Sequence, residues 1–247
     1  MGFNPKFKPF QDKRVRQAIN YAIDADLIIK RLVKNKAYLA NGWLPASSPA
    51  YDPALKGYAS DPAKAKQLLK EAGYENGFTV EVTTTNNEGY GQPILEAVIP
   101  FLAKVGITVK PKIVENAVLQ ELVFNKSDYE AYLYSVGSGP DPLAALKCFH
   151  SATPHSACNY VDYANPGFDR LIEEAVSARD EPTRVAALKR ANAFLTEEAP
   201  VWFFDYDKAV LAYQPWIHGV QPNAVELTVQ QPEEIWIGEG SPRAGMK

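Results

Sequence analysis

Cys148, His150, His155 and Cys158 fall within the eleven residues CFHSATPHSAC. Thiols beside imidazoles can do three kinds of chemistry. They can hold zinc, but the usual spacings are C-x2-4-C and H-x3-5-H, and C-x-H-x4-H-x2-C is a poor match to that combination. A Cys158 thiolate with His155 as its base could act as a nucleophile. Positions i and i+3 on a loop form no established signature, however, and no third group that would orient the histidine is apparent. The third chemistry is a disulfide between Cys148 and Cys158, which would close the loop and contribute about 2–3 kcal/mol. Two free thiols are the reduced counterpart. A disulfide implies an oxidising compartment, and the residues alone leave all of these readings open.

Other reactive groupings are sparse. His218 precedes Gly219 near a turn and reads as structural. The chain contains no glycine-rich phosphate loop, no G-x-S-x-G elbow and no H-E-x-x-H pair. Glu173–Glu174 and Glu197–Glu198 sit on amphipathic helical patterns and read as solvated faces. These features point away from an enzyme, and we expect no cofactor and no metal. The formal charge of −3 gives no basic surface for nucleic acid, and no apolar run approaches the ~18 residues of a membrane span. A hydrophobic fraction of 46% across 247 residues is enough for one large core or two small ones. The first residues lack the charged-then-apolar pattern of a signal peptide.

The elements that must position these residues read as alternating α and β. Asp12 can cap a helix with the stripe Val15, Ala18, Ile19, Ala22 and Ile23. Asp24 or Asp26 starts a second helical run through Val33. The irregular stretch NGWLPASSPAYDP follows, and Trp43 within it reads as a core residue, with stacking on a ligand ring as the alternative. SDPAKAKQLLKEAGY carries a cap at Ser60 or Asp61, Pro62 in the first turn and Gly73 as the stop. Strands are expected at 78–85, 107–114 and 129–136, with helices at roughly 91–104 and 117–124 between them. That order argues for parallel strands in βαβ units. Helices at 165–178 and 181–198 follow, begun by Asn165–Pro166 and by Asp180 with Pro182. VWFFDYDKAVLAY reads as a strand pair. Ligands of open α/β sheets sit beyond the carboxyl ends of the strands, which directs attention to the loops TTNNEGYG and GSGPDP. The expected hydrogen-bonding rim is Asn86, Asn87, Tyr134, Ser135, Ser138 and Asn159, groups suited to an uncharged polar solute.

Six stretches in order resemble the solute-binding proteins of peptide and nickel ABC importers, the extracellular family 5 type. They are PFQDKRVRQAINYAID, SDPAKAKQLLKEAGYENGF, LAKVGITVK, PDPLAALKCF, NYVDYANPGFDRLIEEA and RANAFLTEEAPVWFF. The resemblance implies an α/β fold, the second lobe of a type II periplasmic binding protein, with a mixed sheet and βαβ units flanked by helices. Residues 1–200 would form that ligand-binding lobe, and 201–247 a returning tail that completes a first lobe lying upstream. It implies a periplasmic protein, a signal peptide upstream, a small-molecule solute, and delivery to an ABC permease in the membrane. The tail, deprived of its sheet, would leave apolar edges open to self-association. Many peptide-binding members carry W-x-x-D-x-x-D-P at the end of the third strand. Ser135 and Ser138 replace the tryptophan and the first aspartate here, and only Asp141 and Pro142 match. The resemblance therefore implies a peptide-like or other small polar solute without that cation anchor. It also favours the disulfide, since some dipeptide-binding members carry one in this loop. The competing reading is a stand-alone domain with thiol or metal chemistry at Cys148, His150, His155 and Cys158.

Overall fold

Short polar side chains set the helix starts, as the sequence pattern demands. In a computed structural model that describes residues 1–87, 90–136, 139–208, 210–221 and 232–242, strand β1 (Gly2–Phe3) is followed by α1 (Lys13–Ala22) and α2 (Ala25–Arg31). Asp12 accepts from the Arg14 backbone N–H and Asp24 from that of Leu27, each satisfying one of the donors a helix start leaves open. The second helix stops at Arg31, short of Val33, because Lys34 and Asn35 take left-handed backbone conformations. Strand β2 (Ala37–Leu39) and α3 (Pro62–Glu71) come next, the latter capped by Asp61 and stopped at Gly73, where φ is +82°.

The central βαβ unit is β3 (Phe78–Thr85), α4 (Gln92–Lys104) and β4 (Ile107–Val114). The two strands pair in parallel over their whole length, from Phe78 opposite Ile107 to Thr85 opposite Val114. Gly77 and Gly106 precede them with φ of +73° and +91°. A Cβ on Gly77 would come within 1.8 Å of the Gly106 carbonyl oxygen, so the approach of these two turns requires glycine. The expected helix at 117–124 is split. Helix α5 (Asn116–Leu119) is only a turn long and continues as a π-helical segment, Gln120–Asn125.

Strand β5 (Ala131–Tyr132) is shorter than the expected 129–136. It pairs in parallel with β3 and antiparallel with β1, giving a four-stranded mixed sheet in the order β1-β5-β3-β4. Because β1 offers only two residues, full pairing on both sides ends after Tyr132, although Leu133 N–H still reaches the Thr83 carbonyl. Side chains alternate across the strand: Ala131 and Leu133 enter one core and Tyr132 the other. The first core is closed by α1, α2, α3 and α4. The second is closed by α6 (Pro142–Lys147), α7 (Pro166–Ser177), α8 (Glu181–Glu198) and the loops between β5 and α7.

Strand β6 (Asp205–Asp207) pairs with β2 in a small separate sheet. The strand pair expected within VWFFDYDKAVLAY is therefore replaced by two other pairings, since Val201 bridges Gly2 instead. Trp202 N–H donates to the Met1 carbonyl and Phe203 N–H to Asn20 Oδ1. Val201, Trp202 and Phe203 are buried, so the expectation of open apolar edges fails at these three residues, whereas Val210, Tyr213, Trp236 and Ile237 farther along are exposed. The chain divides into two compact units, Met1–Tyr206 and Asp207–Lys247. The second unit contains an antiparallel pair of β7 (Ile217–His218) and β8 (Trp236–Ile237), with the His218 ring stacked on Trp236 at 4.2 Å.

Arg16 ties the two cores together from α1. Its guanidinium donates to the carbonyls of Phe10, Glu198 and Ala199 and lies 3.7 Å from the Glu198 carboxylate. A fixed cation thus meets the carboxyl end of α8, where the helix leaves its last carbonyls unpaired.

Candidate functional site

The Cys148 and Cys158 sulfurs are bonded to each other, which settles the chemistry of the CFHSATPHSAC loop. Neither sulfur is available as a nucleophile or a metal ligand, and both histidines are held by the local structure. His150 Nδ1 accepts from Ala152 N–H, with Asp169 and Glu173 nearby. His155 lies between the Asp162 carboxylate, 2.9 Å from Nδ1, and the Val123 carbonyl, 2.6 Å from Nε2. Among the described residues no group of three or more His, Cys, Asp or Glu could hold a metal ion. The bonded sulfurs do not favour the thiol or metal reading of the four residues.

Asn86 and Asn87 are exposed at the carboxyl end of β3. Asn87 N–H rests on Thr85 Oγ1, and its carbonyl accepts from Gly91 N–H at the start of α4. Tyr134 and Ser135 follow β5, the first half-buried and the second exposed. Tyr134 Oη donates to Asn116 Oδ1 and accepts from Gln120 Nε2. Its ring meets Tyr90, which follows the β3 loop, edge-on at 5.1 Å and Phe124 of the π-helical segment at 5.6 Å. Burial, and then the neighbouring Tyr134, push the Tyr90 phenol above its usual range. The parallel pairing of β3 with β5 brings these loops to the same end of the sheet. Ser138 lies outside the described residues.

Asn159 is not a rim residue. It is buried, its amide donates to the Tyr163 carbonyl and its oxygen accepts from Tyr163 N–H. Both polar atoms hold a turn, which corrects its placement with the others. Asp141 is also consumed locally: it caps α6 through Leu143 N–H and pairs with Arg184 at 3.0 Å.

Beside this rim the protein has a cavity of about 310 Å³, whose walls include Trp43, Val136, Ala144, Phe149, Tyr160 and the disulfide. Among the described residues no charged side chain lines it. Tyr132 forms part of its wall, and burial pushes that phenol well above its usual range, so it stays neutral. Trp43 is half-buried and packs against the second core. Its ring packs edge-on to Phe149 at 4.8 Å, and its backbone N–H is held by Asn192 Oδ1. Periodicity could not place Trp43, because NGWLPASSP has none. The usable signal was a tryptophan in an irregular, proline-rich connection. Helix α6 was also missed, although Asp141–Pro142 repeats the cap-and-proline signature that marks α3.

The profile described as "Bacterial extracellular solute-binding proteins, family 5 Middle" matches residues 1–156. The glutathione-binding protein GsiB of Pectobacterium atrosepticum is 32% identical over 211 residues, covering 83% of this chain and 41% of that protein. Among solved structures, the periplasmic binding protein DppA from Helicobacter pylori, in complex with the peptide STSA, superposes with a TM-score of 0.86 at 26% identity, over 96% of this chain and 46% of that one. AgaA from A. tumefacien R10, in complex with agropinic acid, gives 0.76 at 26% identity, over 83% and 43%. The chain thus has the α/β fold of the type II periplasmic binding proteins, and it spans less than half the length of the relatives it matches.

Proposed function

Because the chain belongs to the bacterial extracellular solute-binding proteins of family 5, we propose that it forms one wall of the solute site in the binding protein of an ABC importer. The observation that carries this reading is the pairing of two loops at one end of parallel strands. Asn86 and Asn87 after β3 stand beside Tyr134 and Ser135 after β5, next to an uncharged cavity. Such a surface recognises polar groups without making or breaking a bond, so the activity is binding and not catalysis. The unit Met1–Tyr206 supplies the wall, and the chain from Asp207 goes on to a first lobe that lies outside this chain. The two lobes close over the solute by a hinge and present it to the membrane permease.

The solute is a small peptide-like molecule. Glutathione and peptide ligands of the relatives favour that class. The serines at 135 and 138 leave no carboxylate to pair with a free ammonium, so the solute is held by neutral hydrogen bonds. The Cys148–Cys158 bond fits a periplasmic location. Among the described residues no helix is long and apolar enough to cross a membrane.

The test is a titration of the isotope-labelled 247-residue chain with reduced glutathione and with a short neutral peptide, followed by NMR. The expected result is weak binding, because a single wall buries only part of a ligand. Amide shifts should be confined to Asn86, Asn87, Tyr134, Ser135 and their neighbours. Shifts scattered over α1 and α3, or none at millimolar solute, would contradict the assignment.

A further inference from the structure

The segment from Asp26 to Leu39 exposes an apolar surface set among cations. Helix α2 buries Ile28 and Ile29 and leaves Leu27, Lys30 and Arg31 exposed. Leu32, Lys34 and Lys36 follow, also exposed. Lys34 and Asn35, with φ of +55° and +58°, turn the chain into β2. That strand packs against α2 and exposes Tyr38 and Leu39. Among the described residues of the Met1–Tyr206 unit, four of the seven exposed large apolar side chains therefore fall between 27 and 39. Scattered single residues of this kind are ordinary, but a concentration of them marks an interaction surface. The charges are concentrated as well. Asp26 is the only acid in the segment, and it pairs with Lys30. Among the described residues Arg31, Lys34 and Lys36 have no ion pair. A locally cationic patch thus stands on a chain whose formal charge is −3.

We propose that this patch docks the protein on an anionic phospholipid surface, with Arg31, Lys34 and Lys36 at the headgroups and Leu32, Tyr38 and Leu39 at the acyl boundary. Each half of its composition excludes another occupant. A second copy of the same patch would set cation against cation. Nucleic acid would use the cations and leave the leucines in water. A bilayer interface satisfies both halves. Its negative potential attracts clustered lysine and arginine, and apolar side chains settle between headgroups and acyl chains. The long stems of lysine and arginine let the charges stay with the headgroups while the apolar groups enter. An acidic protein surface would need pockets shaped to these side chains, whereas a fluid bilayer needs none. The inference goes beyond the solute-wall reading and does not depend on it.

The test is co-sedimentation of the 247-residue chain with vesicles of phosphatidylglycerol mixed with phosphatidylcholine, and with vesicles of phosphatidylcholine alone. Binding is expected to the anionic vesicles only, and it should weaken as salt screens the headgroups. The triple variant Arg31→Ser, Lys34→Ser, Lys36→Ser should bind about a hundredfold more weakly, each cation being worth about fivefold. Lys66→Ser, Lys70→Ser, Lys110→Ser removes the same charge from exposed positions on α3 and β4 and should change binding less than about twofold. Tyr38→Ser with Leu39→Ser should weaken it about tenfold, at high salt as well as low. Every substituted side chain is exposed, so the variants should keep the circular dichroism of the parent. Equal loss in the two triple variants would reduce the effect to net charge. Unchanged binding of the Tyr38→Ser, Leu39→Ser variant would reduce it to diffuse attraction. Equal binding to both vesicle types would remove the role of the cations, and binding to neither would assign the patch to a protein partner. Any one of these results overturns the proposal.

Discussion

The two faces of the four-stranded sheet are packed in different ways. One face is closed by regular helices through aliphatic side chains, among them Val15, Ile19, Leu69, Ile94, Leu95 and Leu102, all almost fully buried. The other is closed by α6, α7, α8 and the loops between them, and mixes aliphatic residues such as Leu119, Leu188 and Leu195 with a larger share of aromatic ones, among them Tyr129, Tyr132, Phe149, Tyr163 and Phe168. Among the described residues, the buried side-chain atoms without a partner are Asn41 Oδ1, Trp43 Nε1, Thr83 Oγ1, Tyr163 Oη and Asn192 Nδ2. Every one of them lies on or beside the second face, with Thr83 in register with Tyr132. The cavity and the disulfide are there too. Aliphatic helices fill space evenly and leave nothing for a ligand to complete. Rigid rings with polar tips leave gaps and unused donors, and it is at such places that a solute can be recognised.

Substitutions can break or sharpen this contrast. Arg16 joins the faces, so Arg16→Ala should have the largest effect, about 4 kcal/mol in chemical denaturation, because it strips the Phe10, Glu198 and Ala199 carbonyls of their donor and leaves the Glu198 carboxylate only Lys13 and Asn165. On the helical face, Leu102→Ala should cost about 3 kcal/mol. A cost near zero there would mean that the first face is as loosely filled as the second. Replacing Cys148 and Cys158 with serine should cost about 2 kcal/mol. Hydrogen exchange should then quicken around α6 and the 148–158 loop while α1 and α4 stay protected.

Smaller effects follow. Asp12→Ala should cost about 1 kcal/mol through loss of the α1 cap. The hydrogen bond from Arg14 holds the Asp12 carboxyl below its usual range, so its contribution is complete above the unfolded value of about 3.9. It is lost as the pH falls through the lower folded value. Thermal melts between about pH 5 and pH 2 should therefore show a shallower acid loss in Asp12→Asn. The smallest change is expected of Ala144→Val at the exposed edge of the cavity, within about 0.5 kcal/mol.

The helical face was legible in the sequence because its signals are local. Asp12, Asp24, Asp61, Asn165 and Asp180 each cap the helix they were expected to start. The stripe from Val15 to Ile23 is buried throughout, and β3 and β4 keep their expected bounds. The second face depends on contacts distant in sequence. Tyr132 meets Val161 and Val201 around the cavity, the backbone at Val201 pairs with Gly2, and Trp43 is fixed by Asn192. None of these leaves a period. Of the expected rim, Asn86, Asn87, Tyr134 and Ser135 lie at the carboxyl ends of β3 and β5, where the rule that ligands sit beyond strand ends directs attention. Asn159 was misplaced because an asparagine that closes a turn looks, in sequence, like one that faces a solute.

The most direct test of a functional face set against a structural one is amide hydrogen exchange on the 247-residue chain with and without millimolar glutathione. The account predicts slower exchange at Asn86–Asn87 and Tyr134–Val136, with α1 and α3 unchanged. Slowing confined to α1 and α3, or no slowing anywhere, would contradict it.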